Sequence, residues 1–522
     1  MSLSLWHPPV ALAPAEQVVY TRIKYAKLFR FLRDHRLTLF SDEFQAEFAV
    51  LYTDSHRGQP PVPPAQLALA LILQSYTGYS DDAVIEALLM DRRWQLTLDC
   101  LNCDTPPFSK GTFVAFRNSL LPHHLDRRLL ERTLEIAAST GGFNPRALRA
   151  ALDSSALAGA GRVEDTYNLL GHAMHKAIAA LATLQGRALA EVVAAAGASL
   201  IAGSSLKATL DCNWDDPVQR EAALRQILQM VEQTGAYLDT QAPTAADPTI
   251  QAARAAAAQV QAQDVVPGPT GEPVLRQGVA PDRRISMEDA AMRHGRKSRS
   301  VRIDGYKRHI ACDLDTDLVV AVGLTPANVP EAQVGASILA DLARLRARVV
   351  AWYMDRAYLS SVIVAQRAAE TVIHCKSWEV HNGAYFAKTA FYLDWERRIL
   401  RCPNNQEMPF TLGGRVQFPA AVCAACPLQD ACTESPRGRS VAIHPEEQLL
   451  GELRERQARA AGRADLRQRV GVEHSLAHAG QWQGDRARYW GVRKNLADGR
   501  RVAVVNNLHV LARHPEWLPA AA

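Results

Sequence analysis

Residues 349–354 form an apolar, β-rich run that is too short for a helix of its own and stops on Asp355. A buried strand that carries an acid to its C-terminal end is how open α/β sheets build reaction sites, because ligands fit in the crevice beyond the strand ends. The alternative is that Asp355 only opens a turn, which is a common role of aspartate. The choice depends on whether the chain supplies partners for this carboxylate.

Two other carboxylates are candidate partners of Asp355. Asp153 follows a second apolar run, and Glu473 lies in a segment that reads as a helix, with Arg469 one turn earlier on the same face. An ordinary ion pair between Arg469 and Glu473 is the alternative there. Asp313, in the turn between two β runs, remains a rival for a catalytic place. The sequence therefore offers acids at several element ends, and pattern alone does not choose among them.

Two basic segments are the candidates for a polyanionic partner. Residues 293–309 hold seven Lys or Arg against one Asp, and residues 486–495 mix basic side chains with two aromatic rings. Such segments suit a phosphate backbone and a nucleic-acid strand, whereas a solvated loop is the alternative. The net charge of +5 is compatible with this partner without identifying it. The candidate DNA contacts are Arg296, Lys297, Arg299, Arg302, Lys307, Arg308, Arg469, Arg486, Arg488, Tyr489, Trp490, Arg493 and Lys494.

Four of the nine cysteines are grouped within the segment 402–432, at Cys402, Cys423, Cys426 and Cys432. The C-x2-C pair fits the tight turn that presents two thiolates to one tetrahedral ion, and a bound Zn²⁺ would substitute for a small core in this segment. Four reduced cysteines are the alternative. The first residues do not resemble a signal peptide and no run is apolar enough to span a membrane, so we expect a cytoplasmic protein.

The order of the elements predicts the fold class. An Asp153 strand, a hairpin, a helix, an Asp355 strand, a further strand and a Glu473 helix follow one another as in the ribonuclease H fold. A chain of 522 residues is too long for one core, so several domains are expected. Short helices joined by turns in the N-terminal part fit a helix-turn-helix type of DNA reader, with a generic helical bundle as the alternative.

The chain resembles the DDE transposases of bacterial insertion sequences, in the group of insertion sequence 1182. An N-terminal segment, residues 76–82, is similar to the helical DNA-binding domain of such enzymes. The motifs that carry the resemblance in the rest of the chain are residues 152–155 (Leu-Asp-Ser-Ser), 161–168, 304–309 (Asp-Gly-Tyr-Lys-Arg-His), 325–331, 355–358 (Asp-Arg-Ala-Tyr), 469–473 and 488–495.

The resemblance implies that Asp153, Asp355 and Glu473 together hold two Mg²⁺ (or Mn²⁺) ions, which cleave DNA at the element ends and transfer strands to a target. It further implies terminal inverted repeats and target DNA as double-stranded partners, a homodimer on DNA, and a nucleoid-associated protein of the bacterial cytoplasm. The superfamily pattern Y-x2-R-x3-E-x6-K is half present, because Leu466 replaces the Tyr and Gly480 the Lys. Arg486 or Lys494 is a candidate for the phosphate contact of that lysine.

Two rival functions remain beside this one. A domesticated DNA-binding protein would keep the fold without catalysis, and a related metal nuclease would cleave without strand transfer. The expected architecture is a ribonuclease H-like mixed α/β sheet with a helical N-terminal domain and two insertions. The predicted division is a helical DNA-binding domain (1–140), a catalytic core (141–165, 284–378 and 455–515), an alanine-rich helical insertion with a linker (166–283) and a small cysteine-rich, zinc-ribbon-like insertion (379–454).

Overall fold

The computed structural model describes residues 3–52, 60–203, 206–297 and 300–519. Its first part is helical. Ser80 and Ser109 each begin a helix there, because their side-chain oxygens accept the backbone N–H groups of Ala83 and Thr112. The helices are α1 (Pro14–Arg22), α2 (Lys27–Leu39), α3 (Asp42–Ala46), α4 (Pro64–Thr77), α5 (Asp81–Met90), α6 (Arg92–Thr97), α7 (Lys110–Ser119) and α8 (Leu125–Ser139).

The following part begins with a long strand and then inserts helices before the sheet continues. The insertion holds five helices and a small hairpin. In chain order the elements are β1 (Leu148–Ala158), α9 (Thr166–Gln185), α10 (Leu189–Ala195), α11 (Leu206–Thr209), α12 (Pro217–Asp239), α13 (Pro248–Asp264), β2 (Val265–Pro267) and β3 (Pro273–Leu275). The sheet continues with β4 (Arg293–Arg296), β5 (Arg302–Asp313), β6 (Val319–Pro326), α14 (Gly335–Arg344), β7 (Val349–Met354), α15 (Val362–Ala365) and β8 (Val372–His374).

The last part contains the cysteine-rich segment, which includes two short helices, and then four further helices. Its elements are β9 (Tyr392–Asp394), β10 (Ile399–Arg401), β11 (Glu407–Pro409), β12 (Arg415–Gln417), α16 (Ala420–Ala424), α17 (Gln429–Cys432), β13 (Ser440–Ala442), α18 (Glu447–Ala458), α19 (Ala460–Arg467), α20 (Val470–Gln483) and α21 (Val492–Arg513). Short 3-10 helices span Glu47–Leu51, Pro145–Ala147, Ser199–Ile201, Thr244–Ala246, Glu331–Val334, Arg356–Tyr358, Lys388–Ala390 and Pro515–Trp517.

The central sheet is mixed. Its strand order is β6-β5-β1-β7-β8, and β4 pairs with the first residues of β5. β5 is antiparallel to both β1 and β6, whereas β7 is parallel to β1 and to β8. The parallel strands are delivered by helical crossovers, as parallel pairs require. This mixed α/β arrangement is compatible with the ribonuclease H-like fold expected from the sequence.

One continuous hydrophobic core joins the N-terminal helices to the sheet. α4 is apolar on almost every side, and residues from Pro64 to Ser75 are buried, as expected of a helix inside a core. α21 packs against α4, α8 and β6. The N-terminal helices are therefore part of the body that supports the sheet.

A buried network of charges reinforces that junction. Asp126 of α8 accepts hydrogen bonds from Arg493 and Arg500 of α21, each 2.9 Å from its Oδ2 atom. Arg500 also lies 3.4 Å from Asp341 of α14. Burial acts to raise the pKa of Asp126, but the two guanidinium groups outweigh it and hold that pKa below its usual range.

Two of the smaller hydrophobic cores belong to the two insertions. The first is formed by α9, α10, α12 and α13 of the helical insertion. The second holds the cysteine-rich segment together through three phenylalanines, Phe391, Phe410 and Phe418, and the aliphatic side chains around them. Within the described residues, no single helix has the length and apolar composition to cross a membrane; α9 and α10 meet those limits only together, across a bend of 117°.

Candidate active site

The three acids singled out in the sequence line one groove of about 640 Å³. Asp153 lies within β1, Asp355 directly follows β7, and Glu473 lies in the first turn of α20. β1 and β7 are parallel neighbours, with Leu152 opposite Met354, so the next residue of each strand is an aspartate on the same side. The structure thus brings the first two carboxylates together through strand register, and the third through a helix packed on the sheet.

Local backbone groups orient both aspartates. The Oδ1 atom of Asp153 accepts the N–H of Ser154 at 2.8 Å, and the Oδ1 atom of Asp355 accepts the N–H of Arg356 at 2.7 Å. Asp355 thereby caps the short 3-10 helix that follows β7. The turn-forming role considered for Asp355 is real, and the residue is also exposed and lines the groove.

Arg469 links two of the three acids. Its Nη1 atom lies 2.9 Å from Asp153 Oδ2, and its Nη2 atom lies 2.9 Å from Glu473 Oε1. The ion pair expected along α20 therefore exists and extends to β1. Burial raises the pKa of Asp153, and the Ser154 N–H and the Arg469 charge only partly oppose this.

The three acids have the side-chain chemistry that a divalent cation requires. Carboxylate oxygens are the ligands that Mg²⁺ prefers, and all three acids line the same groove. In the described part of the chain, however, no group of three or more His, Cys, Asp or Glu side chains stands ready to hold a metal ion. The guanidinium of Arg469 lies between Asp153 and Glu473 and bonds to both. The Arg469 side chain would have to move before Asp153 and Glu473 could bind one ion together.

Two further cations line the groove beside Arg469. Lys297 donates from Nζ to the carbonyl of Ser154 at 2.7 Å. Arg308 donates from Nε to Ser155 Oγ at 2.6 Å and from Nη1 to Gln483 and to the carbonyl of Gly484. Burial lowers the pKa of Arg308. The groove thus combines these three acids, and Asp485 as a fourth, with fixed positive charge.

Arg308 also fills the space next to Gly480, the position where the superfamily pattern has lysine. A Cβ atom on Gly480 would lie 3.3 Å from Arg308 Nη2. Arg486 instead donates to the carbonyls of Gly159 and Ala160, and Lys494 lines a separate small cavity. Of these three cations, Arg308 is the one that lines the groove.

A layer of buried polar residues lies behind the acids, and sequence reasoning did not single it out. Ser154 Oγ donates to Glu331 Oε1 at 2.9 Å. The Tyr358 hydroxyl lies 2.8 Å from His309 Nδ1, whose Nε2 atom lies 3.1 Å from Thr325 Oγ1. Burial lowers the pKa of His309 to about 3, so its ring is neutral at pH 7. Each of these residues belongs to one of the short motifs that carry the resemblance, which is the signal that could have identified them.

The remaining candidate DNA contacts that the structure describes do not line the groove. Arg296 and Arg302 are exposed on the β4–β5 hairpin, whereas Arg299 lies outside the described residues. Trp490 is 55% exposed. Four others bind within the protein: Lys307 donates to the Val329 carbonyl, Arg488 to the Trp482 carbonyl and Arg493 to Asp126, and the Tyr489 hydroxyl accepts from Arg501. The rival acid Asp313 is buried at the other end of β1, opposite Ala150, where its carboxylate accepts from Thr316.

The four grouped cysteines are reduced, and three of them, Cys402, Cys423 and Cys432, pack against the small core of their segment. Three of the sulfurs accept backbone N–H groups: Cys402 from Gln406, Cys423 from Arg439, and Cys426 from Leu428. Burial raises the pKa of Cys432. In the described residues these thiols are not arranged as a ready metal site.

Comparisons with known families point to transposition. Residues 24–119 match a family described as a transposase domain (DUF772), and residues 401–512 match a family described as a transposase DDE domain. The second match contains Glu473 and the four grouped cysteines. No curated protein and no solved structure matches the chain. The two family matches indicate a function in DNA transposition.

Proposed function

We propose that the chain is a metal-dependent DDE transposase with a ribonuclease H-like catalytic core, which binds the terminal inverted repeats of an insertion sequence, cleaves DNA at its ends and joins them to target DNA. The observation that carries this is the convergence of Asp153, Asp355 and Glu473 in one groove lined by cations. The DDE family match over the segment of the third acid supports the same assignment. The resemblance to the group of insertion sequence 1182 is proposed on the motifs alone.

In this proposal the three acids hold divalent ions, Mg²⁺ or Mn²⁺. Two such ions supply activation of the attacking oxygen and stabilisation of the leaving oxygen in phosphodiester chemistry. Asp153 and Asp355 are fixed by adjacent strands and by backbone N–H groups. Such fixed geometry favours an in-line reaction, because the reacting groups need little further ordering.

The cations of the groove position the substrate strand. Arg308 and Lys297 lie beside the acids and offer N–H donors to a phosphate. Arg308 takes the part that the pattern gives to lysine, since it fills the space at Gly480. The exposed hairpin residues Arg296 and Arg302 extend this surface toward duplex DNA. Because the enzyme must hold two element ends together, its working form in this proposal is a homodimer on DNA at the bacterial nucleoid.

Asparagine at position 355 tests the catalytic assignment. Asp355→Asn keeps the size and the turn-capping oxygen but removes the charge needed for a divalent ion, so we expect binding of element-end DNA to persist and cleavage to fall at least 100-fold. Cleavage is measured on labelled terminal-repeat DNA with Mg²⁺ or Mn²⁺ and a target plasmid. Asp313→Asn is the matched control and keeps activity. Full cleavage by Asp355→Asn, or its loss in Asp313→Asn alone, would refute the assignment.

The same assay separates the two rival functions. A domesticated DNA-binding protein leaves every substrate intact while it binds the repeats. A nuclease without strand transfer releases cut ends and never joins them to the plasmid. The proposed enzyme produces joined molecules that depend on the divalent metal.

We also propose that Cys402, Cys423, Cys426 and Cys432 hold a structural Zn²⁺. The support is that Cys402, Cys423 and Cys432 pack against one small core and that three of the four sulfurs accept backbone N–H groups, because such donors stabilise thiolates over thiols. We expect about one zinc per chain by elemental analysis of the purified protein, and its loss in a Cys423→Ser, Cys426→Ser variant. A Cys212→Ser variant is the control, and a zinc-free, fully folded protein would contradict the proposal.

A further inference from the structure

A second groove, of about 390 Å³, adjoins the candidate active site along α20. Gln481 lines both grooves. Glu473 at one end of this stretch faces the first groove, and Trp482, nine residues later, faces the second. At 1.5 Å per residue the two side chains are separated by about 14 Å along the helix axis, a span of a few nucleotides.

The charged lining of this second groove is positive. Lys27 and Arg513 are exposed there, and neither forms an ion pair with any residue that the structure describes. Among the described residues, no Asp or Glu lines this groove. Two unneutralised cations at a concave surface favour a polyanion, since phosphate contacts release bound counterions.

The floor of the second groove is aromatic. Trp482 and His509 stack with ring centroids 5.1 Å apart and planes 3° apart, and the ring of His478 flanks Trp482. The Nε2 atom of His509 is buried and has no hydrogen-bond partner in the described part of the chain. Burial, together with the charges of Arg513 and His478, lowers the pKa of His509 to about 4, so the ring carries no charge at pH 7.

The positive surface continues beyond this groove. Ala26, the neighbour of Lys27, lines a further groove of about 350 Å³. Its lining contains four cations and no acid: Arg22, Lys24, Arg92 and Arg93. Tyr25, which also lines this further groove, is 98% exposed. The cations and aromatic rings therefore form a track that leads from the candidate active site to the N-terminal helices.

We propose that the second groove binds an unpaired nucleotide of the DNA strand that enters the candidate active site, with its base on the Trp482–His509 stack and its phosphates near Lys27 and Arg513. A groove of cations with an aromatic floor is the arrangement that holds single strands, because every base offers a face for stacking, whereas in a duplex those faces are covered. The inference rests on the proposed function, which supplies DNA as the substrate and α20 as part of its active site.

Binding of single-stranded DNA without metal tests the inference apart from catalysis. The probe is a labelled decathymidylate, followed by fluorescence anisotropy, beside a terminal-repeat duplex. We expect Lys27→Ala, Arg513→Ala to weaken decathymidylate binding about tenfold and to reduce the slope of log K against log salt by about 1.4, which is 0.7 for each lost phosphate contact. Duplex binding should change less than twofold. Arg225→Ala on α12 and Arg437→Ala in the cysteine-rich segment are matched controls, since both residues are exposed and line none of these grooves.

Stacking is tested with 2-aminopurine in place of one thymine. Its emission should be quenched by the native protein and by Trp482→Phe, and should recover by at least half in Trp482→Ala. Thermal melting of each variant checks that it is folded. If Trp482→Ala misfolds, the quenching by Trp482→Phe and the binding by Lys27→Ala, Arg513→Ala still test the inference. Unchanged decathymidylate binding in the double variant, equal losses on duplex and single strand, or absent quenching would each overturn the inference. A protein that binds no DNA at all would overturn the proposed function itself.

Discussion

Arg469 pairs with two of the three acids of the candidate active site. Its guanidinium lies between Asp153 and Glu473 and forms an ion pair with each of them. A divalent ion would have to compete with this internal cation. The residue that organises the acids therefore also sets how readily they take metal.

Removing that cation should increase metal affinity. We expect Arg469→Ala to bind Mn²⁺ several-fold more tightly, because the two carboxylates lose their internal partner and repel each other until an ion arrives. Electron paramagnetic resonance of free Mn²⁺, or calorimetry, measures this without any turnover. Arg356→Ala, beside Asp355 and without contact to the other two acids, serves as the control. Weaker or unchanged Mn²⁺ binding in Arg469→Ala would contradict the competition.

At this scale the sequence indicates which three acids to expect near one another, but it does not indicate all the residues around them, and their catalytic role stays a prediction. Asp153, Asp355 and Glu473 were identified from element ends and short motifs, and the groove contains all three. Arg308 was expected to contact DNA, yet its place beside Gly480 depends on how β5 lies against α20. Contacts between residues far apart in sequence are set by register and packing, which no local pattern encodes.

The strand β1 is the element on which the site depends. The sequence placed the end of its apolar run at Asp153, whereas the strand continues to Ala158 because β5 pairs with it over that length. Polar and small residues after Asp153 hide this continuation from a hydrophobicity pattern. The same limit applies to α21, because the apolar pattern indicates a helix only over residues 502–512, whereas the helix begins at Val492, among buried polar side chains.

A glycine at position 305 lets β5 pass close to β1. Its φ is +154°, and a Cβ atom there would lie 2.3 Å from the backbone nitrogen of Gly159 and 2.5 Å from the Leu157 carbonyl oxygen. Gly305→Ala should therefore reduce the free energy of unfolding by about 1–3 kcal/mol, since neither backbone can easily yield. Gly235→Ala in α12 meets open space and should instead stabilise by about 0.5–1 kcal/mol. Urea unfolding measures both, and equal effects would contradict the clash.

The whole molecule is held together by the junction of α8, α14 and α21. The sequence has no local signal for this junction, in which the N-terminal helices and the sheet pack around one continuous hydrophobic core. Charged residues in α8 and α21 look like surface residues in the sequence. Their burial follows from pairing with each other across about 370 residues of chain.

Breaking the central ion pair should destabilise the whole protein. Asp126→Asn removes the charge that pairs with both Arg493 and Arg500 and leaves the buried Arg500 only the longer contact with Asp341, so we expect a loss of about 3–5 kcal/mol at pH 7. Asp82→Asn, which breaks the exposed pair with Lys110, should cost less than about 1 kcal/mol. Chemical unfolding followed by circular dichroism compares the two, and similar losses would contradict the importance of burial.

The pH dependence of that loss has a defined sign. The pKa of Asp126 is lower in the folded protein than in the unfolded chain, so its stabilising effect is fully present above the unfolded value of about 4. The effect is lost as the pH falls through the folded pKa, where the carboxylate takes up a proton. The difference between native protein and Asp126→Asn should therefore shrink at acid pH, and a difference that grows there would be inconsistent with a lowered pKa.

The helical insertion leaves and rejoins the sheet at one point. Gly305 of β5 lies opposite Ala158, the last residue of β1, and also opposite Arg293, the first residue of β4. The path of more than 130 residues between them therefore starts and finishes on either side of a single residue, with its own hydrophobic core in between. For the gene, this makes the insertion a module: its length can change over generations, or be exchanged for another, while the register that aligns the carboxylates stays the same.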